Sequence, residues 1–430
     1  WYDERIMIVM TFFRGRIPNV RRYLNGMTRI CYGLGLMVFI AVSGAPTLSK
    51  AQSANIYAVT RVQVDRTSET AAKARTEAII EAHRLAFNRL MTRLVPAKQR
   101  AGLPVPTHAE VVEMVLSFGI DEEKTSRVRY IGSLSFQFRR AEVRRFLIRA
   151  GASFAETQSK PVLLLPVLVL GGTKLLWDDL NPWFSAWNAV PPSSGLVPLR
   201  LPVGDLADIR DISAEQAAAG SKTHVNTIGG RYGAATVVIA EAVVDLVTVS
   251  GQRNVYLSLR YLGGPWSDRT DIRIFRIQGG ETDAAALSRI ALETSIQIEE
   301  DWKRDNILQL DSSDKLIADV VLGELREWVE MRRRLEGVAF LQNSQLVMIS
   351  RTRASVRLTY FGNLGQLRTA LAQRDLVLER GTVNWILRDA RELAAPVWPG
   401  TESVAPSAAS VMSVPPEVTD LGPPPKGATR

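Results

Sequence analysis

Residues 161–170 read PVLLLPVLVL. A near-continuous apolar run of this length is the pattern of a strand buried on both faces, because neither face alternates with solvent. It sets the expected class, α/β combined with α+β, in several small mixed domains. Downstream, Trp177, Trp183, Phe184 and Trp187 belong to a loop and an aromatic helix. Residues 195–203 predict another strand and residues 213–220 a short helix. RYGAATVVIAEAVV, residues 231–244, carries a helix end into a buried strand at 236–244. Arg231 and Gly233 set that turn, since glycine permits a left-handed backbone or a close approach at a helix C-terminus. Residues 255–262 and 271–277 alternate like antiparallel edge strands, and a long helix over 282–308 closes a domain placed at 159–312.

Upstream lies an α/β domain at 52–158. Residues 55–65 are β-branched and partly alternating, so they predict a strand. Residues 68–94 predict the strongest helix, with Ala74, Ala78, Ala82, Ala86 and Leu90 on one stripe whose small side chains permit close packing on a sheet. Pro96 ends it. A second helix is expected at 108–118, an alternating strand or broken pair at 128–138, and a short helix at 141–150.

The C-terminal domain, 313–389, has the clearest order. Strand 316–322, helix 324–335, strands 339–349 and 355–361, helix 364–374 and strand 376–387 make β-α-β-β-α-β, the ferredoxin-like order. Val356, Leu358 and Tyr360 fall on one side of their strand, and Arg353, Ser355, Arg357 and Thr359 on the other. Two helices should therefore cover one face of a four-stranded antiparallel sheet and leave the other polar. Residues 390–430, rich in Pro, Ala and Ser, read as a disordered tail.

Hydrophobic residues make up 46% of the 430 and charged residues 23%, enough for a real core. The net charge is +9. Residues 1–51 hold seven Lys/Arg against Asp3 and Glu4, so this leader carries +5 and the other 379 residues only +4. So small a surplus excludes a nucleic-acid partner. The single cysteine, Cys31, sits in the leader, so the body has no disulfide, thiolate metal site or cysteine nucleophile.

The leader places Arg21, Arg22 and Arg29 before ICYGLGLMVFIAVSGA, residues 30–45. A basic segment, a short apolar run and small residues before the cut are what an export signal needs. Ser49 and Ala51 define the expected cleavage, after Ala51. An uncleaved inner-membrane anchor is the alternative, against which sixteen helical residues span only about 24 Å, short of the ~30 Å hydrocarbon core. It would be the body's only membrane contact. Met10 and Met27 are plausible starts, and a start at Met27 leaves residues 1–26 untranslated.

Chemistry is sparse. His83, His108 and His224 form no HExxH motif, and Gly171-Gly172-Thr173-Lys174 lacks the phosphate-loop spacing and reads as a turn. Asp205, Asp208 and Asp211 recur every third residue and could offer oxygen ligands to a cation, or equally form a solvated face that caps a helix. Asp178 and Asp179 beside Trp177, Trp183 and Trp187 suggest a binding surface, in the manner of paired carboxylates over an aromatic floor. Adjacent carboxylates point apart, so an aromatic anchor or small core competes with that reading. No cofactor and no metal is expected.

Several segments together resemble a known family. The alanine-rich helix, LLLPVLV followed by WDD, PLRLPVGDLAD, RYGAATVVIAEA and FGNLGQLRTALAQRDLVLE are similar to domain-of-unknown-function family 2066 of bacterial envelopes, over residues 55–388. The resemblance implies an exported protein and assigns no activity or catalytic residue. The expected function is a periplasmic, non-catalytic module that binds or scaffolds other envelope proteins. The alternative is a periplasmic hydrolase or carbohydrate-active enzyme using Asp178 and Asp179.

Overall fold

The computed structural model describes residues 55–178, 181–245, 252–310 and 312–393. The leader, Asp179 and the tail beyond residue 393 lie outside them. No described helix is long and apolar enough to cross a membrane. The architecture is mixed α/β, built on three sheets.

The first sheet takes β1 (Ala58–Thr67), β2 (Val115–Thr125) and β3 (Arg129–Phe138) in antiparallel order β1-β3-β2. Between β1 and β2 run α1 (Ala71–Leu94), α2 (Ala97–Arg100) and α3 (His108–Met114); α4 (Arg140–Arg149) follows β3. The Thr70 side chain caps α1, and the stripe Ala74, Ala78, Ala82 and Ala86 is fully buried. The helix expected at 108–118 stops at Met114. A capping box of Thr107 and Glu110 starts it, but Val115 begins β2, which pairs with β3 along its length. The expected strand at 128–138 is one unbroken strand.

The central sheet comprises β4 (Val162–Leu170), β5 (Thr173–Leu175), β6 (Leu199–Arg200), β7 (Thr236–Val244), β8 (Asn254–Leu262) and β9 (Thr270–Arg276), in order β5-β4-β7-β8-β9 with β6 beside β4. Strands β6, β4 and β7 are parallel, and β8 and β9 continue antiparallel. The strand expected at 195–203 shrinks to two residues, because Pro198 and Pro202 bound it and offer no N–H to a ladder. One sheet face packs on α5 (Pro182–Asn188) and α9 (Asp283–Asp305) through Leu164, Val238, Leu257, Trp183 and Trp302. The other face meets the segment α6 (Leu206–Asp211), α7 (Ala214–Ala219) and α8 (Lys222–Arg231) through Leu163, Leu165, Val237 and Ile239. As PVLLLPVLVL implied, β4 is buried on both sides.

The third sheet holds β10 (Ser313–Val321), β11 (Leu341–Ile349), β12 (Arg353–Phe361), β13 (Leu376–Arg380) and β14 (Trp385–Asp389). Helices α10 (Leu325–Glu336) and α11 (Leu364–Ala372) follow β10 and β12. The expected β-α-β-β-α-β order holds through β13, and β11-β12-β10 are neighbours as a ferredoxin-like sheet requires. The last strand differs. Residues 376–387 double back at a turn in which Gly381 N–H donates to the Asn384 carbonyl at 3.1 Å. Strand β14 then inserts between β13 and β10, parallel to β10, giving the five-stranded order β11-β12-β10-β14-β13. The first residues assigned to the tail form α12 (Ala390–Leu393).

One apolar cluster unites the first and third sheets, from Phe87, Phe136 and Phe154 to Phe340, Leu358 and Leu371. At this junction the buried Glu156 carboxylate takes N–H groups of Arg144 at 2.6 and 2.7 Å, Arg140 at 3.0 Å and the Tyr57 hydroxyl at 2.5 Å. Arg144 also donates to the Ala339 carbonyl at 3.1 Å, tying the two sheets together. Burial opposes the Glu156 charge, but the two guanidiniums and Tyr57 hold its pKa below the ordinary carboxylate range.

Candidate functional site

Of the surface expected from Trp177, Asp178, Asp179, Trp183 and Trp187, both Trp183 and Trp187 are instead buried, and Asp179 lies outside the described residues. Asn181 caps α5 by accepting from the N–H groups of Trp183 at 3.0 Å and Phe184 at 3.2 Å. Positions 183 and 187, four apart on this helix, then face the sheet together. Trp183 and Trp187 are buried, their rings edge-on at 5.6 Å, and Trp183 Nε1 donates to the Ala240 carbonyl at 2.9 Å. Trp177 is half-buried, with Nε1 donating to the Ile212 carbonyl at 2.7 Å, and Asp178 is exposed and accepts the Leu176 N–H at 3.2 Å. These residues anchor α5 and the loop before it.

Arg231 ends α8, and Gly233, with φ +61°, lies in the turn before β7. Arg231 has a second task. Its guanidinium reaches Asp205 at 3.9 Å and Asp208 at 3.6 Å, and pairs with Asp211. Asp208 is buried and accepts the Gly204 N–H at 2.9 Å and the Tyr232 hydroxyl at 2.7 Å. Burial and Asp208 raise the Tyr232 pKa. The triad of carboxylates is thus clasped by a cation of its own chain. The residues involved come from GDLADIRD and RYGAATVVIAEA, two segments far apart in sequence. Among the described residues no group of three or more His, Cys, Asp or Glu side chains could hold a metal ion.

The surface that stands open lies elsewhere on the central sheet. On the face shared with α7 and α8, the register aligns four rows across the strands. Leu163–Val237–Leu262 and Leu165–Ile239–Arg260–Thr270 lie toward the helices. The next rows are Val167–Glu241–Ser258–Ile272 and Val169–Val243–Tyr256–Ile274. Beyond Val167 and Val169 these two rows are open: Val243 is 37% exposed, Tyr256 39%, Ile272 74% and Ile274 65%. Four strands about 4.8 Å apart make this last row roughly 14 Å wide.

The phase of β9 explains why it is open. Ile272 and Ile274 point to solvent, whereas Asp271, Arg273 and Phe275 turn toward α9. There Asp301, buried, gathers Arg269 at 2.9 Å, Arg304 at 2.9 Å, Gln297 at 2.9 Å and Arg273 at 3.6 Å. Arg269 also binds Asp271 through Nε at 3.0 Å and stands over the rings of Tyr261 and Trp266 at 5.4 and 5.6 Å. Burial opposes the Arg269 charge, yet Asp271, Tyr261 and Asp301 raise its pKa above the ordinary guanidinium value. Burial likewise pushes the Tyr261 hydroxyl well up. The ion pairs of Asp301 with Arg269 and Arg273, and of Asp271 with Arg269, orient β9. The alternation in TDIRIFR announced two faces, and only Phe275 hinted at which one goes inside. No family model matches this chain, and no curated protein matches it.

Proposed function

We propose that the chain is an exported, non-catalytic module of the bacterial envelope that binds other envelope proteins through the open face of β7, β8 and β9. The observation that carries this reading is the row Val243–Tyr256–Ile274 with Ile272 beside it, apolar and shown to solvent. Contiguous apolar surface of this kind marks docking sites. The basic and apolar leader supports export with cleavage after Ala51, and the resemblance to family 2066 supports an envelope setting. A photoreactive amino acid at position 256 tests the binding reading in intact cells. Capture of another envelope protein, abolished by Ile274→Lys, is the expected result; a position that captures nothing overturns it. Export is tested by fusing residues 1–51 to a reporter active only outside the cytoplasm, and a silent reporter would overturn that half.

A further inference from the structure

The outer edge of β9 is as distinctive as its face. Tyr261 N–H donates to the Arg269 carbonyl and Ile277 N–H to the Arg253 carbonyl, at 2.9 Å each. In an antiparallel ladder these contacts fix the parity: odd-numbered residues of β9 bond to β8, and even-numbered ones point their N–H and C=O groups away from it. The Arg276 carbonyl is taken by Arg289 at 3.1 Å. The backbone groups of Thr270, Ile272 and Ile274 have no partner among the described residues. Other sheet edges are blunted. β1, β2 and β11 carry bulges, β5 has three residues, and β13 has five and ends in Glu379 and Arg380. β9 runs seven residues without a register shift.

We infer that β9 joins two copies of this chain, antiparallel about a two-fold axis at Ile272. This rests on reading the β9 face as a docking surface. The charges select both the occupant and the register. With Ile272 opposite Ile272 of the second copy, Thr270 meets Ile274 in each direction, so all three unpartnered residues enter hydrogen-bonded pairs. Asp271 then lies opposite Arg273 in the closer, non-hydrogen-bonded pairs, twice. Both side chains keep partial exposure, 21% and 26%. Centring on Arg273 would instead set Arg273 against itself, and centring on Ile274 would call on the Arg276 carbonyl that Arg289 occupies. The selected register extends the central sheet from one copy into the next and continues the apolar face across the axis through Ile272.

Sedimentation velocity of the full chain over micromolar concentrations tests the pairing. The wild type should dimerise, and Arg273→Asp or Asp271→Arg should each weaken the dimer at least about tenfold through like charges brought face to face. An equal mixture of those two variants should dimerise again, because each supplies the charge the other has lost. Asp271 and Arg273 also pair within their own chain, so Ile272→Lys, at an open position, is the variant that decides if either of them misfolds; it should give a folded monomer by circular dichroism. A monomeric wild type overturns the inference. So does a dimer indifferent to Ile272→Lys, or two folded single variants whose mixture stays monomeric. A monomer that still captures an envelope protein at position 256 overturns the pairing alone, and a dimer that captures none overturns the face alone.

Discussion

Strands β9 and β12 carry the same kind of sequence and use it in opposite ways. In β12, Ala354, Val356, Leu358 and Tyr360 are buried while Arg353 and Arg357 are exposed. In β9, Ile272 and Ile274 are exposed while Asp271 and Arg273 turn inward. The helix across the sheet makes the difference. Against the β12 sheet, α10 and α11 bury Trp328, Leu335, Leu367 and Leu371, so apolar side chains belong there. Against β9, α9 presents Gln297, Asp301 and Asp305, so charged side chains find partners there. Each outward isoleucine forgoes about 1.5–3 kcal/mol of burial. A free molecule gains nothing from that, whereas a molecule with a partner recovers it.

Four substitutions sharpen or break this contrast. The largest effect is expected from Asp301→Ala, which leaves Arg269 and Arg273 beneath α9, and Arg304 on it, without their shared carboxylate. Thermal unfolding should show a loss of about 3 kcal/mol, at the low end for a buried carboxylate because Arg269 keeps Asp271, and a change near zero would mean that the charges do not hold β9 in its phase. In β12, Leu358→Ala opens a cavity at a fully buried position and should cost about 3 kcal/mol by denaturant titration. Gly233→Val, in the turn leading into β7 of the sheet that holds β9, should cost about 1–3 kcal/mol although a Cβ there meets no atom within 4 Å. Its cost comes from a β-branched residue held at φ +61°, so it shows that the central sheet registers damage away from the β9 face. Smallest is Ile274→Ala, which should leave the melt of the isolated monomer within about 0.5 kcal/mol. A loss comparable to that of Leu358→Ala would show that Ile274 is packed within the monomer and would end the contrast with β12.

Much of the frame was legible beforehand. The stripe of alanines in α1, the apolar run of β4 and the alternation in β12 each follow from local periodicity, which burial imposes directly. Errors arose where one residue pattern serves two structures. Residues 115–118 extend the apolar pattern of α3, and only pairing with β3 makes them a strand. Residues 376–387 look like one long strand until Gly381 and Asn384 turn it back and β14 finds a place beside β10. Trp183 and Trp187 were legible as an aromatic pair with a small core among the readings, but the choice between surface and core was not, because α5 has to be seen docked on the sheet before its inner side is known. The three aspartates at 205, 208 and 211 resembled a cation site only while Arg231, twenty residues beyond Asp211, was out of view.

The sequence by itself determined the mixed class, the elements with a strong period, the turn at Gly233, and a body lacking thiols. These depend on neighbours within a few positions along the chain, where spacing and residue type suffice. The tertiary structure alone decided which side of β9 faces inward, which charges neutralise one another, and which sheet edge is left long, regular and open. Each of these depends on contacts between residues twenty or more positions apart, such as Asp301 with Arg269 and Arg231 with Asp211. The alternation of a strand is unchanged when its two faces are exchanged, so no local pattern could have told them apart.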